Sequence, residues 1–452
     1  MADDGLSLLD TALKAVKLCE AEGAEGEAYL SRIRTVSAVI DNDQIVKAET
    51  LWEEGLGLRV SLQGRIGFAY TNRLSVESLR ETARKALKLA RASQPDREWK
   101  GFPPPKKYPK TSETYDDEVA EAEVETAVDL ASEMLEEALS LDRRVKVSEG
   151  AVTLTHARKV ITNSLDVEVE DEGTWTRCYI EALAKEGLDT TPACFEFDSS
   201  RRLKLNVAMV GREAARLALS ALEAEKVEGG RATIILGQPA LLHLLSYTLV
   251  PALKADNVQR GRSPLKGRMG ERVASPLLTL IDDGLLVGGL HTSSFDDEGT
   301  PSQQTPLIEG GFLKGFLYDH YRASKDEVES TGNAVRLASY TSTPVIEPSN
   351  LVVKPSGLSP EVLLSEVKYG FYVPFVQGAH SSNPESGEFS VVAAPVWLVE
   401  EGSLTKPVRS IMLAGTIYEL LENLSGLASN VRTLDSLVAP WIKVEGVRVV
   451  GG

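Results

Sequence analysis

The segment Leu241-Leu242-His243-Leu244-Leu245-Ser246-Tyr247-Thr248-Leu249 sets one histidine in an apolar run of helical character. Two histidines and a glutamate on one helix face make a zinc peptidase site: the imidazoles bind the metal, and the carboxylate takes a proton from metal-bound water. Here Leu244 stands where the base would sit, and Tyr247 and Thr248 stand where a second ligand could lie. Neither hydroxyl replaces an imidazole on zinc, so the reading of the residues alone is a core-packed histidine.

Carboxylates form the next candidate. Asp296, Asp297 and Glu298 are consecutive and lead into Gly299-Thr300-Pro301. Adjacent acids repel unless solvated, hydrogen-bonded or close to a cation. They could bind a metal, orient a peptide or cap a loop. Asp282-Asp283-Gly284 reads as a hairpin turn between apolar strand-like runs. The other histidines, His156, His291, His320 and His380, have no metal-ligand spacing, which leaves open a site gathered from distant segments. An independent hydrolase would draw on Asp296, Asp297 and Glu298 with His291 or His320. No Gly-x-Ser-x-Gly elbow and no phosphate-binding loop is present. Cys178 and Cys194 lie in strand-like contexts that predict buried, inert thiols.

The elements that must position these groups are read from pattern and punctuation. A chain of 452 residues accommodates two or three domains. Helical spacing predicts a first helix from Leu6 to Ala21. Alternation predicts strands over 27–40 and 45–49, then a hairpin of 55–62 with 65–70 turning at Gln63-Gly64. Ser75 offers an N-cap for a helix to Ala92. Residues 94–115 hold Pro95, Pro103, Pro104, Pro105 and Pro109 without apolar period and read as a linker. An acidic helix follows over 116–140, then strands over 145–184 and a helix over 207–224 stopped by Gly229-Gly230. The remainder opens with a strand at 232–236 and a helix near Pro239. It then becomes strand-rich, with hairpins at Glu309-Gly310-Gly311 and Glu401-Gly402. The expected class is α+β: an N-terminal domain 1–94, a proline-rich linker 95–115, a middle domain 116–229 and a C-terminal domain 230–452 forming an antiparallel barrel-like or sandwich core.

Charge narrows the function. The net charge of −17, from 66 acids against 49 bases, argues against nucleic-acid binding, which needs a basic surface. The basic run Arg260–Arg272 reads as a mobile loop. Three cysteines without CxxC spacing fit a reducing cytoplasm. The acidic start Met1-Ala2-Asp3-Asp4-Gly5 does not read as a signal peptide, and no run approaches the ~18 apolar residues of a membrane span.

In order and spacing, Gly55-Leu56-Gly57-Leu58-Arg59 with Gly64-Arg65-Ile66-Gly67-Phe68, Gly267–Arg272, Phe295–Pro301, Leu313–Leu317 and Ser330-Thr331-Gly332-Asn333 resemble the TldD/PmbA family of peptidase subunits. The resemblance spans nearly the whole chain. It implies a metal site of His-Glu-x-x-x-His plus a late cysteine in the TldD subunit, and a TldE/PmbA subunit that lacks those ligands. Matched onto this chain, the first histidine falls on His243, the glutamate on Leu244 and the second histidine on Thr248, and no cysteine follows Cys194. The resemblance therefore implies a non-catalytic TldE/PmbA-type subunit, with no metal and no catalytic residue of its own. Its partner would be a zinc-bearing TldD-type chain in a cytoplasmic heterodimer that degrades unfolded proteins or peptides and matures some peptides. Asp296, Asp297, Glu298, Ser330, Asn333 and Arg336 are the expected substrate or interface contacts. A homodimer in isolation and a homo-oligomeric regulatory protein of the gyrase-modulator type are the other readings.

Overall fold

The computed structural model describes residues 7–451. Ser7 caps α1 (Leu8–Glu20): its hydroxyl accepts from the Asp10 amide at 3.0 Å while the Asp10 carboxylate accepts from the Ser7 amide. The expected start at Leu6 lies outside the described residues. Three antiparallel strands follow, β1 (Glu25–Asp41), β2 (Gln44–Leu62) and β3 (Arg65–Thr71). Gln63 and Gly64, with φ of 54° and 75°, make the tight β2–β3 turn. Ser75 caps α2 (Val76–Ala92) by accepting from Ser78 N.

The single helix expected over 116–140 is two, α3 (Asp117–Glu121) and α4 (Val124–Ser140), separated where Ala122 and Glu123 are extended. The middle region continues with β4 (Val145–Asn163), β5 (Glu168–Glu186), β6 (Asp189–Thr190), β7 (Cys194–Ser200) and α5 (Val207–Ser220). Strands from both sides of the proline-rich stretch share one sheet, ordered β3-β2-β1-β4-β5-β6 with β7 also on β5. Alternation along β1 explains its two faces. Ala28, Leu30, Val36, Ala38 and Ile40 are fully buried beneath α1, α2, α4 and α5, each larger side chain contributing about 1.5–3 kcal/mol. The intervening residues face away from the helices and are free for a site.

The proline-rich segment is a packed strap. Phe102 is buried, Asn163 Nδ2 donates to the Pro103 carbonyl at 2.8 Å, and Tyr108 Oη donates to the Gly299 carbonyl at 2.9 Å. Its prolines suit an extended, stiff path without amide donors.

Gly230 opens β8 (Gly230–Leu236) instead of ending a helix. After it come α6 (Gln238–Tyr247), β9 (Leu280–Asp283) and β10 (Gln304–Glu309). An eight-stranded sheet containing β8 and a six-stranded sheet containing β9 and β10 enclose a core that includes Ile234, Leu241, Leu244, Leu280, Leu413 and Ile442. Most pairs are antiparallel; β8 runs parallel to Tyr369–Val373. The hairpins at Gly310-Gly311 and Glu401-Gly402 form as expected. Asp282-Asp283-Gly284 is not a hairpin turn. β9 lies between β10 and Leu351–Val353, and Asp282 is 1% exposed. Its carboxylate is satisfied internally, by Asn333 Nδ2 and Ser349 N at 2.7 Å each, which is why this acid can occupy a strand end away from water. Among the described residues no helix is long and apolar enough to cross a membrane.

Candidate functional site

Helix α6 carries His243 with its ring edge-on to Phe375, centroids 4.9 Å apart. Burial lowers the imidazole pKa, which keeps the ring neutral near pH 7. Leu244 is fully buried in the C-terminal core. Thr248 is also fully buried, and its hydroxyl donates to the Leu244 carbonyl. The three positions that the resemblance matches to zinc ligands and base thus hold one imidazole, a hydrocarbon and a hydroxyl already committed to the backbone. That donor set does not fit a metal ion, for which the chemistry needs three protein ligands and an open place for water. Among the described residues no group of three or more His, Cys, Asp or Glu is arranged to hold a metal. Cys19, Cys178 and Cys194 are buried, and burial pushes each thiol up to about 12, so none offers a thiolate.

The acid loop is a buried clamp between the first sheet and the C-terminal region. Glu27 on β1 and Arg59 on β2 end on the face away from the helices. Arg59 Nη2 donates to Glu27 Oε2 and to Glu298 Oε1, each at 2.7 Å. Arg336 Nη2 donates to Glu27 Oε1 at 2.6 Å and Nη1 to the Ser342 carbonyl at 2.6 Å. Glu298 Oε2 accepts from His320 N at 3.0 Å. Burial pushes the Glu27 carboxyl up, while Arg59 and Arg336 pull it back. Burial also acts to raise Glu298, but Arg59 outweighs it and holds the group below its ordinary value. Burial and then the Glu298 charge push Asp296 well up, although its oxygens accept from the amides of Glu298, Thr300 and Ala334.

Two glycines of the sequence motif make this approach possible. A Cβ on Gly55 would lie 2.3 Å from the Tyr340 ring, and one on Gly57 would lie 2.4 Å from the Tyr340 carbonyl oxygen. Only bare backbone there admits the turn 339–341 onto β2.

Beside the clamp, a cavity of about 410 Å³ opens on the helix-free face of the first sheet. Its walls include Tyr29, Lys159, Trp175, Arg201, Asp297 and Ser293. Lys159 Nζ donates to Asp297 Oδ1 at 3.0 Å; burial opposes the ammonium charge, but Asp297 raises its pKa and keeps it protonated. Ser293 Oγ donates to Asp171 Oδ2 at 2.5 Å. Arg201 lies 4.2 Å from the Trp175 ring centroid and donates to the carbonyls of Gly289 and Thr292, with burial lowering its pKa to about 10. Both charge signs, an aromatic wall and edge hydroxyls suit a polar, extended ligand. An ammonium held charged by a carboxylate is not a base, the Ser293 hydroxyl is engaged by Asp171 and the Phe295 carbonyl, and the His291 ring is engaged by Asp435, so these three side chains do not form a nucleophile–base pair with one another.

The sequence-derived residues divide accordingly. Asp296, Asp297 and Arg336 reach the cavity wall, Glu298 and Asn333 are internal, and Ser330 lines a smaller recess beside His320. His291 lies on the cavity wall 3.2 Å from Asp435. Sequence reasoning missed Glu27, Arg59, Lys159, Asp171, Trp175 and Arg201. For Glu27, Arg59 and Lys159 a signal existed: each is a charge inside a strong strand pattern, where an unpaired charge would be costly.

Comparison with known proteins agrees with this architecture. Family models match nearly the whole chain: PmbA/TldA metallopeptidase domain 1 over 26–90, the central domain over 117–222 and the C-terminal domain over 229–451. The chain belongs to the PmbA/TldD family. An uncharacterized protein of Methanocaldococcus jannaschii is 31% identical over 96% of this chain and 98% of its own length. The metalloprotease TldD homolog of Haemophilus influenzae is 26% identical over 89% of this chain and 85% of its own. The crystal structure of TldE from Thermococcus kodakarensis superposes with a TM-score of 0.93 at 30% identity, covering 98% of this chain and all of that one.

Proposed function

We propose that this chain is the TldE/PmbA-type, non-catalytic subunit of a cytoplasmic metallopeptidase heterodimer acting on unfolded proteins or peptides. The observation that carries the reading is helix α6, where Leu244 and Thr248 are sealed in the core beside a lone His243. The likeness to a TldE structure over the full length supports the same subtype. A TldD-type partner supplies the zinc, the base and the attacking water. This chain supplies part of the enclosing wall, and its cavity beside Lys159 and Trp175 receives extended peptide. Isolated chains are free to homodimerise.

The test is reconstitution. The purified chain is mixed at micromolar concentration with a TldD-type chain from the same source, and cleavage of an unstructured peptide is followed. A stable complex with higher turnover than the TldD-type chain alone is the expected result. Two chains that do not associate overturn the proposal.

A further inference from the structure

We infer that a second cavity, set between the middle region and the C-terminal region, binds an uncharged aromatic residue of a peptide together with its flanking peptide groups. This cavity is separate from the one beside Lys159, and binding there does not depend on a catalytic partner.

The cavity measures about 430 Å³, within the ~300–1,000 Å³ of small-ligand sites. β7 and α5 wall it on one side, and the start of α6 and the strand Tyr369–Val373 on the other. Two aromatic pairs line it. Tyr372 and Trp441 have ring centroids 4.5 Å apart, and Phe195 and Phe375 have theirs 5.9 Å apart. Phe375 is also the ring that meets His243. The mouth is open, since Leu404 at its rim is 43% exposed.

Charge decides what kind of ligand fits. Four charged side chains reach the wall, and each is answered there. Arg432 Nη2 donates to Glu196 Oε1 at 2.7 Å, and Arg216 Nη2 lies 2.8 Å from Glu213 Oε2. An entering ion would give up its hydration and find no charge awaiting a counter-ion. The wall is therefore built for an uncharged ligand.

Its uncharged polar groups are in the opposite condition. Gln238 is 2% exposed, and its amide nitrogen donates to the Asn430 carbonyl at 2.6 Å. A carbonyl only accepts, so that bond fixes the amide's orientation and leaves Gln238 Oε1 as an acceptor. Among the described residues Oε1 has no donor, and the Tyr372 hydroxyl, Trp441 Nε1 and Asn430 Nδ2 have no acceptor. Burial raises the Tyr372 phenol pKa, so the group stays an O–H donor. A buried acceptor and several donors beside four aromatic rings match an aromatic residue within a chain. Its amide N–H meets Gln238, its carbonyl meets the donors, and its ring packs against the ring pairs. An aliphatic residue satisfies the same polar groups but forfeits the ring contacts.

The test uses the full chain and three probes. N-acetyl-phenylalaninamide carries the ring and two amides, N-acetyl-leucinamide the amides without the ring, and free phenylalanine the ring with two charges. In calorimetric titration the first is expected to bind at least about tenfold more tightly than either of the others. An unstructured peptide with one phenylalanine is expected to displace it, and the same peptide with serine there is not. Leu404→Trp sets an indole across the mouth from an exposed position and is expected to abolish binding, with an unchanged melting temperature showing an intact fold. Tyr372→Phe keeps the ring, loses the hydroxyl and is expected to weaken binding about threefold to tenfold. Equal binding of the three probes, no saturation at millimolar probe, or a phenylalanine peptide that displaces nothing overturns the inference. Binding that survives Leu404→Trp and is lost on Trp175→Ala also overturns it, because the ring would then sit in the cavity of the first sheet. The heterodimer proposal stands in each of these cases.

Discussion

Helix α6 and the acid loop 295–301 treat polar chemistry in opposite ways. Along α6 the positions that the family resemblance matches to a base and a second ligand are hydrocarbon and a backbone-bound hydroxyl, and Leu244 belongs to the core. In the acid loop every carboxylate is kept, and Arg59, Lys159 or backbone amides answer each one. A dense run of conspicuous residues therefore marks the joint that fixes the first sheet to the C-terminal region, while the helix around His243 is inconspicuous. Buried ion pairs are modest contributors to stability but costly to break from one side, which suits a joint that sets geometry.

The largest expected effect comes from breaking that joint. Arg59→Met leaves Glu27 and Glu298 buried without their shared cation, and it should lower unfolding free energy by about 3–5 kcal/mol in urea titration. Adding Glu27→Gln should recover part of the loss; an Arg59→Met chain as stable as the original would mean that the clamp contributes nothing.

Asp282 sharpens the contrast through pH. Burial pushes its carboxyl up to about 7, against the lowering bonds from Asn333 and Ser349. The folded chain then holds this proton more tightly than the unfolded chain. Its contribution to stability is present below the unfolded carboxyl range and is lost as pH rises towards 7. Relative to Asp282→Asn, the native chain should lose up to about 4 kcal/mol between pH 4 and pH 7.5. Parallel stability–pH curves for the two proteins would remove the claim.

On the α6 side, Leu244→Ala should cost about 2–4 kcal/mol by opening a cavity in a fully buried position. The smallest effect is expected for Thr248→Val, which keeps shape and loses only a local hydroxyl-to-carbonyl bond. Its change should stay within about 1 kcal/mol, and a larger loss would show that the hydroxyl has a partner beyond the Leu244 carbonyl.

Much of the local structure was legible in the sequence because it is set by near neighbours. Ser75, Gln63-Gly64 and Gly310-Gly311 fix a cap and two turns within a few residues. The helix near Pro239 was equally readable from its apolar run. The acid loop was harder. Its residues were noticed, but their partners Glu27, Arg59 and Lys159 lie more than 100 residues away in sequence, and no local pattern announces such a pairing. Asp282 was misread for the same reason: a turn motif and a buried strand end look alike until Asn333 arrives from the distant chain to satisfy the carboxylate. The proline-rich stretch read as a linker by composition, whereas Phe102 and Tyr108 anchor it.

The central claim is that hydrolytic power comes from a companion chain, and His243→Ala tests it most directly. Peptide cleavage is measured for this chain alone and for its mixture with a TldD-type chain, using native and His243→Ala forms alongside zinc analysis of each purified protein. The account predicts no zinc and no turnover for the chain alone, and equal turnover for the two mixtures. Stoichiometric zinc on this chain alone, with turnover that His243→Ala abolishes, would contradict it.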